Sequence, residues 1–358
     1  MLLNVLVKST YPQTDNVGRS CLSYMECFYD TNHNIRSIPL VLSQQVGEAP
    51  SWVKLPESNF KTDIYFQQCL PPFFERVDRL RNIGFSFMES RHLEKTGWIE
   101  KFNEMDEVWV ATKMEREALI EAGVTKNIVV VPMPMKFIDV APIKSFDEFI
   151  GGRFSFYFIG EYIERKNIEA LISAYWREFT KDDNVVLIIK TGYGNIPQQD
   201  LKNIINKNLE MMRARMRLYT YPHHYPEIIF LTENLTDEEI AEMHATCDCF
   251  VTASRGESTC RPLVDAAYYN TPIICTDNIS CVEDLDMMKV KSTEVPCSAF
   301  QPPIRDLYTG YQTWMDIDIL DLQSKMRFAL TKPTFNNRDK VINKHSYDKV
   351  TERINNLL

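Results

Sequence analysis

Residues 255–277 read RGESTCRPLVDAAYYNTPIICTD, and this stretch decides the fold that we predict. Residues 248–254, just before it, are typical of a buried strand. Pro262 is suited to the first turn of a helix, because its missing N–H would have no helical partner there. Two carboxylates stand on either side of this helix start, and the candidate site consists of Glu257, Ser258, Thr259, Cys260, Arg261 and Asp265. The stretch therefore predicts a strand, a polar loop and a helix in succession.

The composition is that of a globular protein with two domains. The chain has 358 residues, of which 44% are hydrophobic and 25% charged, and a single core rarely grows to this length. Its formal charge of −9 argues against general nucleic-acid binding, which requires many phosphate contacts. No apolar run approaches the roughly 20 residues that cross a bilayer. We therefore expect a cytoplasmic protein.

Cysteine usage predicts reduced, structural thiols. The nine cysteines lack paired C-x-x-C spacing, and the nearest approach, Cys247-x-Cys249, lies in a strand-like segment. A structural zinc site needs four well-spaced ligands. We expect neither a metal site nor a disulfide framework.

Apolar strands alternate with amphipathic helices in both halves, which is typical of parallel sheets with helical crossovers. Residues 133–153 interrupt this alternation with two prolines and the pair Gly151-Gly152, as a linker does. The predicted fold class is α/β, with two doubly wound, Rossmann-like domains. We place the first domain at 1–145, the second at 146–335 and a closing helix at 336–358.

Ligands of such sheets gather where strands end and helices begin, because helix N-termini offer unpaired N–H groups. The amides of 258–261 would form a nest for an anion, with Glu257 before the helix and Asp265 within it. Carboxylates accept two hydrogen bonds from a vicinal diol. A diphosphate linked to sugars matches this combination.

The segment GESTCRPLVDAA resembles, in frame, the motif E-G-F-G-L-P-x-x-E of the retaining glycosyltransferases of family 4. The resemblance implies the GT-B fold, with two Rossmann-like domains that face each other across a cleft. It also implies that Glu257 contacts the transferred sugar and Asp265 the ribose of the nucleotide. Asp265 replaces the glutamate of the motif, and Ser258 and Cys260 replace its glycines, which puts the ribose contact and the close amide approach in question.

The resemblance extends over most of the chain. Residues 156–192 look like the opening strand and helix of the family's second domain, where a basic residue at the position of Lys166 binds the donor diphosphate. In the family an arginine usually follows the glycine, at the position of Glu161 in this chain. Arg165 compensates in part for that missing cation. Residues 14–22, TDNVGRSCL, look like a flexible loop that brings Gly18 and Arg19 to the phosphates, and 88–124 resembles the acceptor-side segment. The resulting assignments are catalytic Glu257, His92 and Glu89, diphosphate-binding Gly18, Arg19, Arg165, Lys166, Ser258, Thr259, Cys260 and Arg261, and nucleoside-binding Asp265, Asn234, Leu235 and Lys190.

The resemblance implies sugar transfer from a nucleotide-sugar co-substrate, most commonly linked to uridine diphosphate, with neither a metal nor another cofactor. The acceptor stays open among a glycan, a lipid-linked sugar and a protein. One alternative is a modified base in viral DNA, supported by a cluster of six cations, namely Arg76, Arg79, Arg81, Arg91, Lys95 and Lys101. A second is a nucleotide-sugar-binding protein that has lost turnover. A nicotinamide-dependent oxidoreductase is excluded by the lack of G-x-G-x-x-G after the first strand.

Overall fold

The computed structural model describes residues 2–11, 16–42, 47–140, 146–194, 196–297 and 308–358. The chain forms two compact units. The N-terminal unit comprises Met1–Lys136 together with Ile342–Leu358, and the second unit comprises Phe137–Val341.

The N-terminal unit is built on a parallel sheet. Its elements are β1 (Asn4–Ser9), α1 (Asn16–Tyr29), β2 (Asn34–Pro39), β3 (Ile64–Gln68), β4 (Arg81–Phe85), α2 (Trp98–Glu104), β5 (Glu107–Val110), α3 (Lys113–Glu121) and β6 (Asn127–Val130). Within the described residues the strand order is β2-β1-β3-β4-β5-β6. Helices cross between the strands, as expected for a doubly wound fold.

Aromatic rings fill the core of this unit. Phe28 of α1 packs on Phe66 of β3, with ring centroids 4.6 Å apart, and lies stacked on Trp109 of β5 at 6.2 Å. Strands buried on both faces need such apolar runs. Helix α3 begins with a capping box in which Thr112 and Glu115 bind each other's backbone N–H, and this fixes its start.

The second unit repeats the architecture. Its elements are α4 (Asp147–Ile150), β7 (Phe154–Ile159), α5 (Ile168–Glu178), β8 (Val185–Lys190), α6 (Gln198–Met216), β9 (Ile228–Leu231), α7 (Asp237–Thr246), β10 (Cys249–Thr252), α8 (Arg261–Tyr268), β11 (Ile273–Thr276), β12 (Met288–Val290), β13 (Ser292–Pro296), β14 (Thr313–Ile317) and α9 (Ile319–Ala329). Helix α10 (Arg338–His345) contains the boundary between the units, because the second segment of the N-terminal unit begins at Ile342. The parallel strands lie in the order β12-β11-β10-β7-β8-β9 across the described residues, and β13 pairs with β14 in an antiparallel hairpin.

The second sheet follows from its sequence. The runs FSFYFI of β7 and VVLIIK of β8 are almost entirely buried, as central parallel strands require. Thr236 caps α7 in a capping box with Glu239, and Pro262 lies in the first turn of α8, as predicted. The expected α/β class with two parallel-sheet units is therefore confirmed.

The C-terminal segment belongs to the N-terminal unit. Helix α11 (Tyr347–Leu357) packs on α1. The N–H of Met135 donates to the carbonyl of His345 at 2.7 Å, and Nδ1 of His345 lies 2.9 Å from the carbonyl oxygen of Met133. Burial lowers the pKa of His345 to about 4, so the imidazole is neutral at pH 7.

One local expectation differs from the structure. We predicted a flexible loop over residues 14–22, but α1 begins at Asn16, and Gly18 lies within its first turn. A glycine is tolerated in this turn, because its cost is largest in a helix interior. Residues 14 and 15 of that loop, and 141–145 of the predicted linker, lie outside the described residues.

Three of the six clustered cations form ion pairs with acidic neighbours. Arg76 pairs with Asp106 at 2.9 Å and Arg81 with Glu107 at 3.1 Å. Lys101 lies 2.9 Å from Glu104 on the same helix. These acidic partners offset the positive charge that the DNA alternative required.

All nine cysteines are free and buried, as expected. Across the ranges that the structure describes, no group of three or more His, Cys, Asp or Glu side chains is placed to hold a metal ion. The same ranges contain no helix that is both long and apolar enough to span a bilayer.

Candidate active site

The topology of the second sheet marks one edge as a ligand site. The chain passes from β7 outward to β8 and β9, and then returns to place β10 on the other side of β7. A crevice opens at the carboxyl ends of two strands where the winding reverses. The turn at 160–167 follows β7, and the loop at 253–260 follows β10, so both predicted binding segments lie at this switch point.

Two cations converge on one carboxylate at this place. Nζ of Lys166 lies 2.5 Å from Oε1 of Glu257, and Nη1 of Arg165 lies 3.3 Å from Oε2 of the same residue. The side chain of Lys166 is 13% exposed, that of Arg165 10% and that of Glu257 4%. The structure thus brings two adjacent cations to a carboxylate that follows Lys166 by 91 positions in sequence.

The ion pairs keep these groups charged despite their burial. Burial by itself would raise the pKa of Glu257, but Lys166 and then Arg165 hold it below its ordinary value. Burial would lower the pKa of Lys166, whereas Glu257 raises it above its usual range. The attraction between opposite charges therefore exceeds the desolvation cost for both residues. Two cations share one carboxylate, and this arrangement favours an anionic ligand.

The loop after β10 is held by residues to which we assigned no role. Arg255 donates from Nη1 to the carbonyl of Glu164 at 2.6 Å and from Nε to Asp316 at 2.9 Å. The hydroxyl of Ser254 donates to the carbonyl of Gly256 at 3.2 Å. These bonds join the turn after β7, the loop after β10 and strand β14. Arg255 directly precedes the Gly-Glu pair of the motif, and this position is the sequence feature from which its role could have been predicted.

The start of α8 presents polar groups without partners. Cys260 is the N-cap residue, and its side chain makes no capping hydrogen bond. Within the described part of the chain, the buried hydroxyl oxygens of Ser258 and Thr259 have no hydrogen-bond partner. A buried hydroxyl normally finds a partner. These hydroxyls provide donors for oxygen atoms of a ligand. In the first turn of α8, Pro262 has no N–H, and the N–H groups of Leu263 and Val264 already donate to the carbonyl of Cys260 at 3.0 and 3.1 Å.

Asp265 lies one turn further along α8 and is partly exposed. Burial raises its pKa to about 7; Arg261 lowers it and Asp237 raises it further. The influence of Asp237, the first residue of α7, indicates that Asp265 lies near the loop that precedes this helix. Asn234, exposed, and Leu235, half-buried, belong to that loop. Lys190 is the last residue of β8.

The remaining predicted residues belong to the N-terminal unit. Gly18 is buried and Arg19 exposed in the first turn of α1, and Glu89 is half-buried after β4. His92 is exposed in a left-handed backbone conformation with φ of +56°, and its Nδ1 lies 3.5 Å from Glu94. The N–H of Met88 donates to buried Glu115 at 3.0 Å, which anchors the segment that leads to Glu89.

Known proteins match part of this chain in sequence. The family model described as "Glycosyl transferases group 1" matches residues 142–285. Two curated relatives, both the serotype-specific mannosyltransferase WbdA of Escherichia coli, are 28% identical over 129 residues. The matched segment covers 34% of this chain and 13% of each relative. Both Glu257 and Lys166 lie inside the region that the family model matches.

Solved structures share the fold at low identity. Sucrose-phosphate synthase from Thermosynechococcus elongatus superposes with a TM-score of 0.66 at 12% identity, covering 99% of this chain and 98% of that one. An α,α-trehalose-phosphate synthase (UDP-forming) from Burkholderia xenovorans gives 0.58 at 11% identity, covering 82% and 71%. At these identities the likeness concerns the fold, which is GT-B. The chain thus has the GT-B fold, and residues 142–285 within it match the glycosyl transferases group 1 model.

Proposed function

We propose that the protein transfers a sugar from a nucleoside-diphosphate donor to an acceptor hydroxyl, with retention of the anomeric configuration and without a metal ion. The observation that carries the proposal is the convergence of Arg165 and Lys166 on Glu257 at the carboxyl ends of β7 and β10. A family-model match supports the reaction class.

The donor diphosphate would lie against the two cations. Its oxygens would accept hydrogen bonds from Lys166 and Arg165, and from the amides and hydroxyls of the segment Ser258, Thr259, Cys260 and Arg261. The unpartnered hydroxyls of Ser258 and Thr259 support this placement. Charge-assisted bonds of this kind are about twice as strong as neutral ones.

The nucleoside would extend along α8. Asp265 would accept both ribose hydroxyls, while Lys190, Asn234 and Leu235 would contact the base or the ribose. We propose uridine diphosphate as the carrier, a choice supported by the "UDP-forming" synthase among the structural neighbours. Mannosyl transfer by the WbdA relatives makes a mannosyl donor, with either a uridine or a guanosine carrier, the first sugar to test.

The chemistry follows from charge development. As the glycosidic C–O bond breaks, negative charge grows on the leaving diphosphate, and Lys166 and Arg165 stabilise it in place of a divalent ion. The leaving phosphate oxygen takes the proton of the acceptor hydroxyl on the same face of the sugar. Glu257 orients the hydroxyls of the transferred sugar. In the N-terminal unit, Gly18 and Arg19 are proposed for the phosphates, and Glu89 and His92 for the reacting carbon.

The acceptor is proposed to be a glycan, a lipid-linked sugar or a protein. The ion pairs of Arg76, Arg81 and Lys101 give no support to modified DNA.

A donor panel tests the proposal. Thermal shifts are recorded with UDP, GDP and ADP and with their glucose and mannose conjugates, because a ligand at 100 times its dissociation constant stabilises a fold by about 2.7 kcal/mol. The donor that binds is then incubated with and without EDTA, and the anomeric proton of the product is followed by NMR. Equal turnover in EDTA and an unchanged anomer are expected. The absence of a thermal shift with every nucleotide would overturn the nucleotide donor. Loss of turnover in EDTA would overturn metal independence, and an inverted anomer would overturn retention.

A further inference from the structure

The second unit contains a cavity of about 520 Å³ beside the predicted donor site. It opens between the turn after β7, the start of α5, the segment after β8 and helix α6. Its size is within the range of about 300 to 1,000 Å³ that small-molecule sites occupy. Arg165, Lys166 and Glu257 are not among its lining residues, so the cavity is separate from the cationic pair.

The cavity combines flat apolar surfaces with hydrogen-bonding groups. Its polar and aromatic wall consists of Tyr162, Tyr193, Glu164, Glu169, Asn167 and Asn208. Ile168 and Leu201, both buried, form an aliphatic floor, and Ile204 is 39% exposed at the edge. A pyranose ring has the matching chemistry, since its C–H faces pack on aromatic and aliphatic groups and its hydroxyls donate to carboxylates and amides.

Bonds within the wall hold these groups in place. Nδ2 of Asn208 donates to the hydroxyl of Tyr162 at 3.1 Å. Asn167 and Arg255 both donate to Oδ1 of Asp316, at 3.2 and 2.9 Å. A pocket fixed before binding loses less conformational entropy when its ligand arrives.

The charges of the wall disfavour anions. Two carboxylates, Glu164 and Glu169, line the cavity, and Arg255 is the cation among its lining residues. Arg255 already binds Asp316 and the carbonyl of Glu164. Phosphorylated ligands would meet two like charges, so the cavity is unsuited to a second nucleotide.

We infer that this cavity is a carbohydrate-binding subsite that takes one or two neutral pyranose rings. This inference goes beyond the proposed transfer reaction, because binding here needs neither donor nor turnover. A cationic ligand such as a polyamine is the competing occupant, since carboxylates also attract ammonium groups.

The test is calorimetric titration of the full chain with α-1,2-mannobiose, maltose and cellobiose, and separately with spermidine. We expect at least one disaccharide to bind, and saturating UDP to leave that binding unchanged. Tyr193→Ala, which removes an aromatic face, and Ile204→Trp, which fills the cavity, should each weaken the disaccharide by about tenfold or more. Two matched controls should bind as the unaltered protein does, namely Tyr221→Ala, an exposed tyrosine outside the cavity, and Met211→Trp, at 39% exposure on the same helix as Ile204.

The inference is overturned if no disaccharide binds more tightly than about 10 mM, if Tyr193→Ala and Ile204→Trp bind as the controls do, or if these two variants lose spermidine binding alone. The thermal shift with UDP, measured on all four variants, separates this result from the donor site. A normal UDP shift without disaccharide binding rejects the subsite only. A missing UDP shift with disaccharide binding intact rejects the donor assignment only.

Discussion

Nζ of Lys166 and Oε1 of Glu257 lie 2.5 Å apart with both side chains largely excluded from solvent, and Arg165 approaches the other oxygen of the same carboxylate. A buried ion pair is weak evidence for stability, because desolvation of the charges offsets much of their attraction. The position of this ion pair is more informative, because it lies at the carboxyl ends of β7 and β10, where the winding of the sheet reverses. Without a ligand, Glu257 neutralises cations that a diphosphate would otherwise approach.

Glu257→Gln should destabilise the protein by about 3 to 5 kcal/mol, since it leaves two buried cations without their carboxylate. Urea unfolding measures the loss. The control is Glu233→Gln, because Glu233 forms an exposed pair with Lys202, and its removal should change stability by at most about 1 kcal/mol. UDP should raise the melting temperature of the Glu257 variant more than that of the unaltered protein. Equal shifts would show that the diphosphate does not contact these cations.

Lys166→Met should reduce kcat for transfer by about 10² to 10³, the usual loss when a group that stabilises the developing charge is removed. Lys166→Arg keeps the charge and should recover part of the rate, which a purely structural role in packing would not predict. Initial rates at saturating donor provide the measurement, and Lys202→Met is the control for loss of a lysine from the same unit. A rate for Lys166→Met near that of the control would contradict the assignment.

The sequence was sufficient for features that local chemistry determines. Strands β7 and β8 are continuous apolar runs, and the strand, loop and helix around Pro262 follow from a missing N–H and a polar loop. The approach of Lys166 to Glu257 was expected only through resemblance, because two residues 91 positions apart carry no local signal of their contact.

Other features were beyond a single sequence. The bond from Arg255 to Asp316 depends on the β13–β14 hairpin, whose segment STEVP has neither a clear apolar alternation nor a long buried run. Gly18 was assigned to a loop through the resemblance of residues 14–22 to a flexible loop of the family, and glycine costs about 1 kcal/mol only in a helix interior. The first turn of α1 tolerates it. The sugar-sized cavity arises from side chains of four separate segments and has no sequence motif.

Asp265→Asn should change the pH dependence of stability. The folded carboxyl has a pKa of about 7, whereas an unfolded aspartate has a pKa of about 3.9. The folded state therefore binds the proton more tightly, and this residue lowers stability as the pH rises from about 4 to about 7. Urea unfolding at pH 5 and pH 8 should show a smaller decrease, or a net increase, in the asparagine variant. An identical difference in both proteins would contradict the raised pKa.

The same residue should give donor binding a pH dependence. If the ionised carboxylate of Asp265 accepts the ribose hydroxyls, UDP affinity should increase as the pH passes through 7. The asparagine variant retains only the titration of UDP itself, so the difference between the two calorimetric profiles isolates Asp265. Parallel profiles would remove Asp265 from the nucleoside site.

Glu115→Gln should destabilise the N-terminal unit by about 2 to 4 kcal/mol. The buried carboxylate accepts hydrogen bonds from the N–H groups of Ala111, Thr112 and Met88, at 2.9, 2.9 and 3.0 Å. Glutamine keeps the shape but turns an NH₂ group towards one set of these donors, and hydrogen bonds to a charged acceptor contribute about 1.5 to 3 kcal/mol each.

Glu117→Gln on the exposed side of the same helix is the matched control, with an expected change within about 0.5 kcal/mol. Urea unfolding of both variants provides the comparison. Because the bond to Met88 positions the chain that leads to Glu89 and His92, Glu115→Gln should also lower the transfer rate at temperatures where the variant stays folded. A full rate in the folded variant would mean that the position of this segment does not limit transfer, and would argue against Glu89 and His92 as residues of the reacting site.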